Sequence, residues 1–367
     1  MSDLVNKLLR PELLELQPYE SARRLFSMAD SAEVKTDWLN ANENPQVPDI
    51  QINPALFNRY PDFQPEQLIT AYSEYAGVKT SQVLASRGAD EAIELLIRTF
   101  CRGQQLDNIV ICPPTYGMYA ISAKTHGSNV VEVPLTKNLQ LDLPKLLPEV
   151  EQSKLVFICS PNNPTGDVMN RDDLITLLNK AQDKCLVVVD EAYIEFCPEQ
   201  TVVSLLSEYP NLVITRTLSK AFGLAGIRCG FTLASEDVIN ALKKVIAPYP
   251  VPAPVAQIAS DALNKDGLNW MQQQVTYLNA LRDKFIDVAA SLKFVEIVYS
   301  SKTNFVLLKL NDLVDAQSVM DFFSQNGTLL RNQSKQLMLD NTIRVSIGDE
   351  TQMNKVNQLF EQLESSL

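Results

Sequence analysis

The middle of the chain alternates short apolar runs with stretches of helical periodicity. The apolar runs are bounded by polar or turn residues, which is typical of strands buried on both faces of a parallel sheet. They occupy residues 83–86, 109–112, 155–159, 186–189 and 212–215. The intervening and following segments 90–100, 171–180 and 236–246 place apolar residues on one helical face. This alternation predicts a doubly wound α/β core with a mainly parallel sheet.

The last third of the chain has a different pattern. Residues 254–292 follow one helical pattern despite Gly267. Strand-like runs and helical patterns then follow one another, with strands at 295–299, 304–310 and 342–347 and helices at 316–325 and 350–363. We therefore expect an α+β unit here. The predicted domains are a large one over residues 46–255 and a small one formed by residues 256–367 together with the N-terminal segment 1–45.

Composition and charge narrow the possible classes of function. Of the 367 residues, 46% are hydrophobic and 21% are charged, which is the profile of a packed protein rather than a disordered one. Lys and Arg number 32 against 44 Asp and Glu, which gives a net charge of −12. An acidic chain repels nucleic acids and anionic membranes, so we expect neither as a partner. No apolar run reaches transmembrane length and residues 1–10 lack a signal-peptide core, so we expect a cytoplasmic protein.

Histidine and cysteine usage argues against metal and disulfide chemistry. The single histidine, His126, excludes His-rich zinc sites and most catalytic triads, and we predict no metal. Because it precedes Gly127, it is expected to end a helix. The six cysteines form no C-x-x-C pair and most lie in or beside apolar segments, so we expect buried, reduced thiols.

Side chains able to do chemistry follow each predicted strand. In an open α/β sheet, ligands bind beyond the carboxyl ends of the strands, so these residues are expected to share one edge. In chain order they are Asp90 behind Gly88 and Ala89, Tyr116, Asn163, Asp190 with Tyr193, and then Ser219, Lys220 and Arg228. The edge would thus collect an aromatic ring, an amide, a carboxylate, hydroxyls, a lysine and an arginine.

This set of groups describes a particular ligand. A partly desolvated lysine such as Lys220 favours its neutral amine and can attack an aldehyde. A carboxylate at a buried strand end, here Asp190, can hold a ring nitrogen protonated. The helix N-terminus at Gly88, with Arg228 and Ser219, can bind a phosphate. A flat ring that carries an aldehyde, a basic nitrogen and a phosphate is pyridoxal 5'-phosphate, so the residues predict that cofactor.

Several stretches then resemble a known family. Residues 217–228, which read TLSKAFGLAGIR, resemble the lysine motif of class II pyridoxal-phosphate-dependent aminotransferases of the aspartate aminotransferase superfamily. SPNNPTG at 160–166 and DEAY at 190–193 resemble two further motifs in the right order. Shorter stretches narrow the resemblance to the histidinol-phosphate aminotransferase family; they are LNANENP at 39–45, RYPD at 59–62, GADE at 88–91, LRN at 330–332 and TIRVS at 342–346. The likeness runs from about residue 18 to residue 348, and it implies the transferase fold called fold type I.

The resemblance implies a role for each site residue. Lys220 would carry the cofactor and act in catalysis with Asp190, which would pair with the ring nitrogen, and with Tyr193. The other cofactor contacts implied are Tyr116 and Asn163 at the ring, Ala89, Asp90, Ser219 and Arg228 at the phosphate, and Tyr60 from the second subunit of a homodimer. Arg344 would bind the anionic end of the substrate, with Arg331 and Tyr19 assisting.

The implied activity is transfer of the amino group of L-histidinol phosphate to 2-oxoglutarate, which yields imidazole acetol phosphate and glutamate in L-histidine biosynthesis. An aromatic amino acid aminotransferase or a threonine-phosphate decarboxylase of the same fold remains an alternative. Some proteins of this fold are effector-binding parts of transcription regulators, but this chain lacks a basic N-terminal DNA-binding module. A ligand-binding relic without activity would be expected to lose Lys220 first.

Plainer interpretations exist for individual residues. Asp190 could cap a helix, and residues 162–166 could form only a turn. Residues 88–90 could be an ordinary helix start. Tyr60 could pack in a loop, and Arg331 could be solvated.

Overall fold

A central sheet of seven strands organises the molecule. The computed structural model describes residues 9–10, 13, 16–17, 36–54 and 57–367. The strands of the large sheet are β2 (Val83–Ser86), β3 (Asn108–Ile111), β4 (Asn129–Glu132), β5 (Ser153–Cys159), β6 (Leu186–Asp190), β7 (Leu212–Thr217) and β8 (Gly230–Ala234). Their spatial order is β2-β8-β7-β6-β5-β3-β4, and every pair is parallel except those made by β8. The predicted mainly parallel sheet is confirmed.

Helices cover both faces of this sheet. They are α1 (Glu66–Ala76), α2 (Ala89–Phe100), α3 (Met118–His126), α4 (Leu143–Glu149), α5 (Arg171–Ala181) and α6 (Glu236–Lys243). Alternate strand residues point to opposite faces, so Val187 belongs to one hydrophobic cluster while its neighbour Val188 belongs to the other. This two-sided burial explains why the central strands are almost continuously apolar.

A second, smaller sheet of four antiparallel strands lies in the C-terminal part of the chain. Its strands are β9 (Val295–Val298), β10 (Phe305–Leu310), β12 (Arg331–Asn332) and β13 (Thr342–Ser346), in the order β12-β13-β10-β9. Helices α7 (Ala253–Ala262), α8 (Lys265–Ser291), α9 (Ala316–Gln325) and α10 (Glu350–Ser366) accompany it. The C-terminal part is therefore α+β, as the pattern predicts.

The N-terminal segment joins this second unit. Strand β1 (Asp37–Trp38) pairs in parallel with β11 (Thr328–Leu329), and the backbone amide of Ser346 donates to Leu39 at 3.1 Å. Residues 37–39 thus contact the second unit, and the domain boundaries stay a prediction.

The long helical pattern at 254–292 is two helices rather than one. Helix α7 ends at Ala262, and α8 starts after Asn264, whose side chain accepts from the amides of Asp266 and Gly267 at 2.9 Å each. A Cβ on Gly267 would lie 2.5 Å from the carbonyl oxygen of Ala262. The glycine thus permits the close turn between the helices, and the asparagine caps the second one.

Histidine and cysteine lie as expected. His126 ends α3, with Nε2 at 2.9 Å from the carbonyl oxygen of Cys101. All six cysteines are free and buried.

Within the described ranges, no group of His, Cys, Asp and Glu is arranged to hold a metal ion. None of the helices described is both long and apolar enough to cross a membrane.

Candidate active site

The carboxyl ends of β5, β6 and β7 open on a cleft of about 430 Å³. Register brings these ends level, because Cys159 pairs with Asp190 and Asp190 pairs with Thr215. Most residues predicted for the site line this cleft, namely Ala89, Asp90, Tyr116, Asn163, Asp190, Tyr193, Ser219, Lys220, Arg228, Arg331 and Arg344. The strand-end argument therefore locates the cleft correctly, and the small sheet supplies its opposite wall.

Lys220 lies in the turn that follows β7. Its Nζ donates to the carbonyl oxygen of Ala41 at 3.0 Å and lies 5.6 Å from the ring centre of Tyr193. Burial, followed by the charge of Arg344, lowers the pKa of the Lys220 amine to about 8. A larger fraction of this amine is neutral near pH 7 than of an exposed lysine, which favours nucleophilic attack on an aldehyde.

Asp190 is the last residue of β6 and is buried. Its Oδ2 accepts from the hydroxyl of Tyr119 at 2.6 Å, and its Oδ1 accepts from the amide of Ala192 at 3.1 Å. Burial raises the pKa of Asp190 to about 6, while the Tyr119 hydrogen bond opposes that rise. The carboxylate is thus mostly ionised at neutral pH. The hydrogen bond to the Ala192 amide is a local turn contact, and Asp190 also lines the cleft.

The two asparagines of the turn after β5 have separate tasks. Asn162 is buried, accepts from the hydroxyl of Thr115 at 3.0 Å and donates to Thr165 at 2.9 Å, so it builds the turn. Asn163 faces the cleft, where its Oδ1 accepts from Nη1 of Arg344. Residues 162–166 are therefore a turn that also presents a polar group to the cleft.

Tyr193 stands beside Asn163 and is held from the N-terminal segment. Its hydroxyl accepts from Nδ2 of Asn42 at 3.0 Å. Asn42 is itself fixed by Ser346, whose Oγ donates to Asn42 Oδ1 at 2.9 Å. The phenol is buried, so a hydrogen-bonding ligand group would meet it in a position already set.

A cradle for an anion lies at the start of α2. Gly88 has φ 83° and the helix that follows has no side-chain cap, so its first amides are open to the cleft. Nη1 of Arg228 lies 3.4 Å from Ser219 Oγ, and its Nη2 lies 3.1 Å from Asp90 Oδ2. A Cβ on Gly88 would come within 2.8 Å of Arg228 Nη2, so a side chain there would fill the cradle.

The Asp90 carboxylate itself would repel a phosphate. It instead accepts from Arg228 and, at 2.8 Å, from the Tyr116 hydroxyl. Any contact of Asp90 with a phosphate would therefore come from its backbone amide, while its side chain orients the arginine and the aromatic ring.

Two arginines enter from the small sheet. Arg331 and Arg344 are directly opposite each other in the pairing of β12 with β13. Arg344 is 6% exposed, donates from Nη2 to the carbonyl of Asn40 at 3.0 Å and lies 5.2 Å from the ring centre of Phe305. Its neighbours Ile343 and Val345 pack in the hydrophobic core, whereas Arg344 lines the cleft, as alternate residues of a strand point to opposite faces.

Tyr60 is the described residue among those predicted for the site that does not line this cleft. Tyr60 is 81% exposed and stacks on Tyr249, with ring centres 4.6 Å apart. Tyr19 lies outside the described residues. Their roles stay predictions.

Sequence reasoning missed several residues that shape the cleft. Tyr119 and Asn42 hold Asp190 and Tyr193, and Asn40, Gln333 and Gln336 line the wall. Tyr116 precedes helix α3, which starts at Met118, so helical spacing gave no signal that its ring meets the ring of Tyr119. The contact of Asn42 with Tyr193 had no local signal, because the residues are far apart in the chain.

The residues present fit pyridoxal 5'-phosphate. The cradle at Gly88 offers amides and a guanidinium to a phosphate, Asp190 offers an ionised carboxylate, and Lys220 offers an amine of lowered pKa. Asn163 adds a side-chain amide and Tyr193 adds a phenol, and both groups can form hydrogen bonds with a ligand.

Comparison with known proteins agrees with this chemistry. The family model for aminotransferase class I and II matches residues 34–359. The chain is 52% identical over 361 residues to the histidinol-phosphate aminotransferase of Aeromonas hydrophila, covering 98% of this chain and 99% of that protein. It is 46% identical over 370 residues to the enzyme of that name from Colwellia psychrerythraea, covering 98% and 100%.

Solved structures confirm the predicted fold. The histidinol-phosphate aminotransferase of Clostridium acetobutylicum superposes with a TM-score of 0.83 at 26% identity, over 90% of this chain and all of that one. The fold is also shared with the Sinorhizobium meliloti enzyme solved with pyridoxal 5'-phosphate, at a TM-score of 0.86, 23% identity and 98% coverage of both chains. The L-threonine-O-3-phosphate decarboxylase of Porphyromonas gingivalis also superposes, with a TM-score of 0.76 at 20% identity, over 89% and 99% of the two chains. Fold alone therefore does not separate aminotransferase from decarboxylase.

Proposed function

Since the chain belongs to the aminotransferase class I and II family, we propose that it transfers the amino group of L-histidinol phosphate to 2-oxoglutarate in L-histidine biosynthesis. The products are imidazole acetol phosphate and glutamate. The observation that carries this proposal is the convergence of Lys220, Asp190 and Arg344 on one cleft. Relatives named for this activity match nearly the whole chain at 46–52% identity, so the aromatic aminotransferase and decarboxylase alternatives are not favoured.

The cofactor is pyridoxal 5'-phosphate. When bound, it supplies an aldehyde that exchanges amines and a ring that takes up electrons from the substrate carbon. The residues that would hold it are Lys220 at the aldehyde, Asp190, Asn163, Tyr193 and Tyr116 around the ring, and Ala89, Asp90, Ser219 and Arg228 at the phosphate.

Lys220 would hold the cofactor at its aldehyde and would carry a proton during the reaction. An amine with a pKa of about 8 is close enough to neutrality to take a proton from the substrate carbon and return it elsewhere. Its position beside Tyr193 and the Ala41 carbonyl confines that proton to the interior of the cleft.

Asp190 supplies the electrostatic part. Its ionised carboxylate, buried at the end of β6, favours a positive charge on a ring nitrogen placed against it. Asn163 and Tyr193 line the same cleft and would hold a ring oxygen, which would orient the ring relative to Lys220.

Arg344 and Arg331 recognise the substrate anions. Both substrates are anions while the chain carries a net charge of −12, so attraction has to come from local cations. A guanidinium matches phosphate and carboxylate equally well with two parallel hydrogen bonds. One pair of arginines can therefore serve histidinol phosphate and 2-oxoglutarate in alternate half-reactions.

A homodimer with shared sites is part of the proposal. Tyr60 does not line its own cleft and stacks on Tyr249. Both are exposed, as are four other apolar residues within 13 positions of Tyr60 in the sequence, namely Val47, Ile52, Phe57 and Phe63. Exposed apolar side chains favour burial against a second copy of the chain. Tyr60 would then contact the cofactor phosphate of the other subunit.

A donor screen tests the substrate. The purified enzyme is assayed with 2-oxoglutarate and, in turn, histidinol phosphate, phenylalanine, tyrosine and threonine phosphate. We expect the highest kcat/KM with histidinol phosphate. A higher kcat/KM with phenylalanine or tyrosine, or release of CO2 from threonine phosphate, would overturn the assignment of substrate.

A further inference from the structure

We infer that Tyr119 is a positioning residue, which fixes the Asp190 carboxylate against the cofactor's ring nitrogen. The inference rests on the proposed function, because it requires a ligand with such a nitrogen. Tyr119 itself does not line the cleft and so would act only through Asp190.

The hydrogen bond between Tyr119 and Asp190 is short and buried. The Tyr119 hydroxyl donates to Asp190 Oδ2 at 2.6 Å, while the amide of Ala192 donates to Oδ1 at 3.1 Å. Each carboxylate oxygen therefore has one fixed donor, and the carboxylate cannot rotate without breaking a hydrogen bond. Each oxygen retains a further lone pair for a ligand.

Three elements lock the phenol in place. Tyr119 is in the first turn of α3, and its side chain is fully buried. Its ring stacks on Phe157 of β5, with centres 5.0 Å apart and an angle of 14°. The ring of Tyr116 meets it edge-on at 5.6 Å and 84°. Packing of this kind leaves the hydroxyl one position, which is against Asp190.

The chemistry of the pair suits a lasting donor. Burial and the Asp190 charge raise the pKa of Tyr119 well above its usual range, so the phenol keeps its proton. Asp90, Cys159 and Tyr193 are among the other titratable groups that act on Asp190, and none of these three brings a positive charge. Burial raises the pKa of Asp190, and Tyr119, followed by Thr215 and the Ala192 amide, opposes that rise. Loss of the Tyr119 hydroxyl would therefore shift Asp190 toward its neutral form, which cannot stabilise a protonated ring nitrogen.

Equilibrium binding to the cofactor-free enzyme tests this inference without measuring turnover. The two ligands are pyridoxal 5'-phosphate and its 1-deaza analogue, in which a carbon replaces the ring nitrogen. In Tyr119→Phe, we expect affinity for pyridoxal 5'-phosphate to fall by roughly 10- to 100-fold, the range for a hydrogen bond to a charged group. Affinity for the analogue should stay within about two-fold of the wild-type value.

Two control variants define the route of the effect. In an Asp190→Asn background, Tyr119→Phe should cause no further loss, because the carboxylate it serves is gone. Tyr116→Phe, which removes the neighbouring phenol that bonds Asp90, should affect both ligands alike.

The outcomes separate cleanly. Equal weakening of both ligands by Tyr119→Phe, or no weakening of either, would overturn the positioning role. Failure of the wild-type protein to bind pyridoxal 5'-phosphate would instead overturn the proposed function. If Tyr119→Phe does not fold, Phe157→Leu loosens the stacked ring and keeps the hydroxyl. Phe157→Leu should also weaken the binding of pyridoxal 5'-phosphate more than that of the 1-deaza analogue, by a smaller factor. Equal weakening of both ligands in this variant would contradict the inference.

Discussion

Arg344 and Asn163 are joined by a hydrogen bond of 2.5 Å, from Nη1 of the guanidinium to Oδ1 of the amide. The arginine belongs to the small sheet and the asparagine to a turn of the large one. A substrate anion bound by Arg344 would therefore lie next to the amide that we propose contacts the cofactor ring. Recognition of substrate and orientation of the ring are physically adjacent in this cleft.

Replacing Arg344 with alanine should reduce both half-reactions. Loss of one partner of a buried charge pair costs about 2–5 kcal/mol, which corresponds to a drop in kcat/KM of roughly 30- to several-thousand-fold. Affinity for the cofactor should change little. Arg344→Lys keeps the charge but loses the planar fork, so it should fall between alanine and wild type. An Arg344→Ala enzyme that still converts histidinol phosphate normally would place the substrate anion elsewhere.

Arg331 should matter more for phosphate-bearing substrates than for neutral aromatic amines. The prediction is checked with the ratio of kcat/KM for histidinol phosphate to that for phenylalanine, in Arg331→Ala and in wild type. The control variant is Arg98→Ala, because Arg98 is an exposed arginine that forms an ion pair with Glu94. An unchanged ratio in Arg331→Ala would show that Arg331 is not part of the anion site.

The Lys220 amine should react at lower pH than the other lysines. Its pKa of about 8 lies below the usual 10.5, so the neutral form accumulates as pH rises through about 8. Acylation of the cofactor-free enzyme, followed residue by residue by peptide mass spectrometry, measures this directly. Exposed Lys154 serves as the internal reference. Parallel pH profiles for Lys220 and Lys154 would show that burial does not activate the amine.

Stability should decline as pH rises because of Glu195. This buried carboxyl lies 3.4 Å from the Tyr75 hydroxyl, beside the ion pair of Glu191 and Arg216, and burial raises its pKa to about 7 from the usual 4.5. A carboxyl with a raised folded-state pKa contributes stability below about pH 4.5 that is lost as pH passes through about 7. That loss is about 3 kcal/mol, at about 1.4 kcal/mol for each unit between the two pKa values.

The test is urea unfolding of the wild type and Glu195→Gln at several pH values. Glutamine cannot ionise, so the difference in unfolding free energy between the two proteins should change with pH in favour of the variant. Comparing the pair cancels the contributions of Asp190 and Lys220, which both retain. A difference that is constant with pH would mean that Glu195 stays in one protonation state.

Mixed dimers test whether Tyr60 acts across subunits. Tyr60→Phe and Lys220→Ala subunits are unfolded together and refolded, and activity is compared with that of each variant alone. Random pairing restores about a quarter of the sites if Tyr60 serves the partner's cleft. No gain over the unmixed Tyr60→Phe protein would mean that Tyr60 serves its own chain or neither.

The sequence predicted the parallel strands and the residues at their ends because both signals are local. An apolar run between turn residues identifies a strand, and chain order then tells which side chain follows it, as for Asp190 and Lys220. Strand β4 was missed because it is only half buried. Strand β8 was missed because it begins at Gly230 and follows directly on the lysine motif.

Contacts between distant segments could not be derived in the same way. Tyr119 meets Asp190, and Asn42 meets Tyr193, across separations of 71 and 151 residues. Neither pair leaves a periodic trace in the chain, because each depends on how helix, strand and N-terminal segment pack together. Local patterns therefore identify the chemical groups, whereas the residues that hold them in place require the three-dimensional structure.

The positions of the site residues along the chain also determine the order in which they are synthesised. The residues for the phosphate, the ring and Lys220 lie between Gly88 and Arg228, so a growing chain contains them early. The wall proposed to select the substrate also needs the contacts of Arg344 with the Asn40 carbonyl and of Ser346 with Asn42, and the members of each pair are 304 residues apart in the chain. During synthesis, the chain thus has the groups for holding a cofactor well before it has those for choosing what the cofactor acts on.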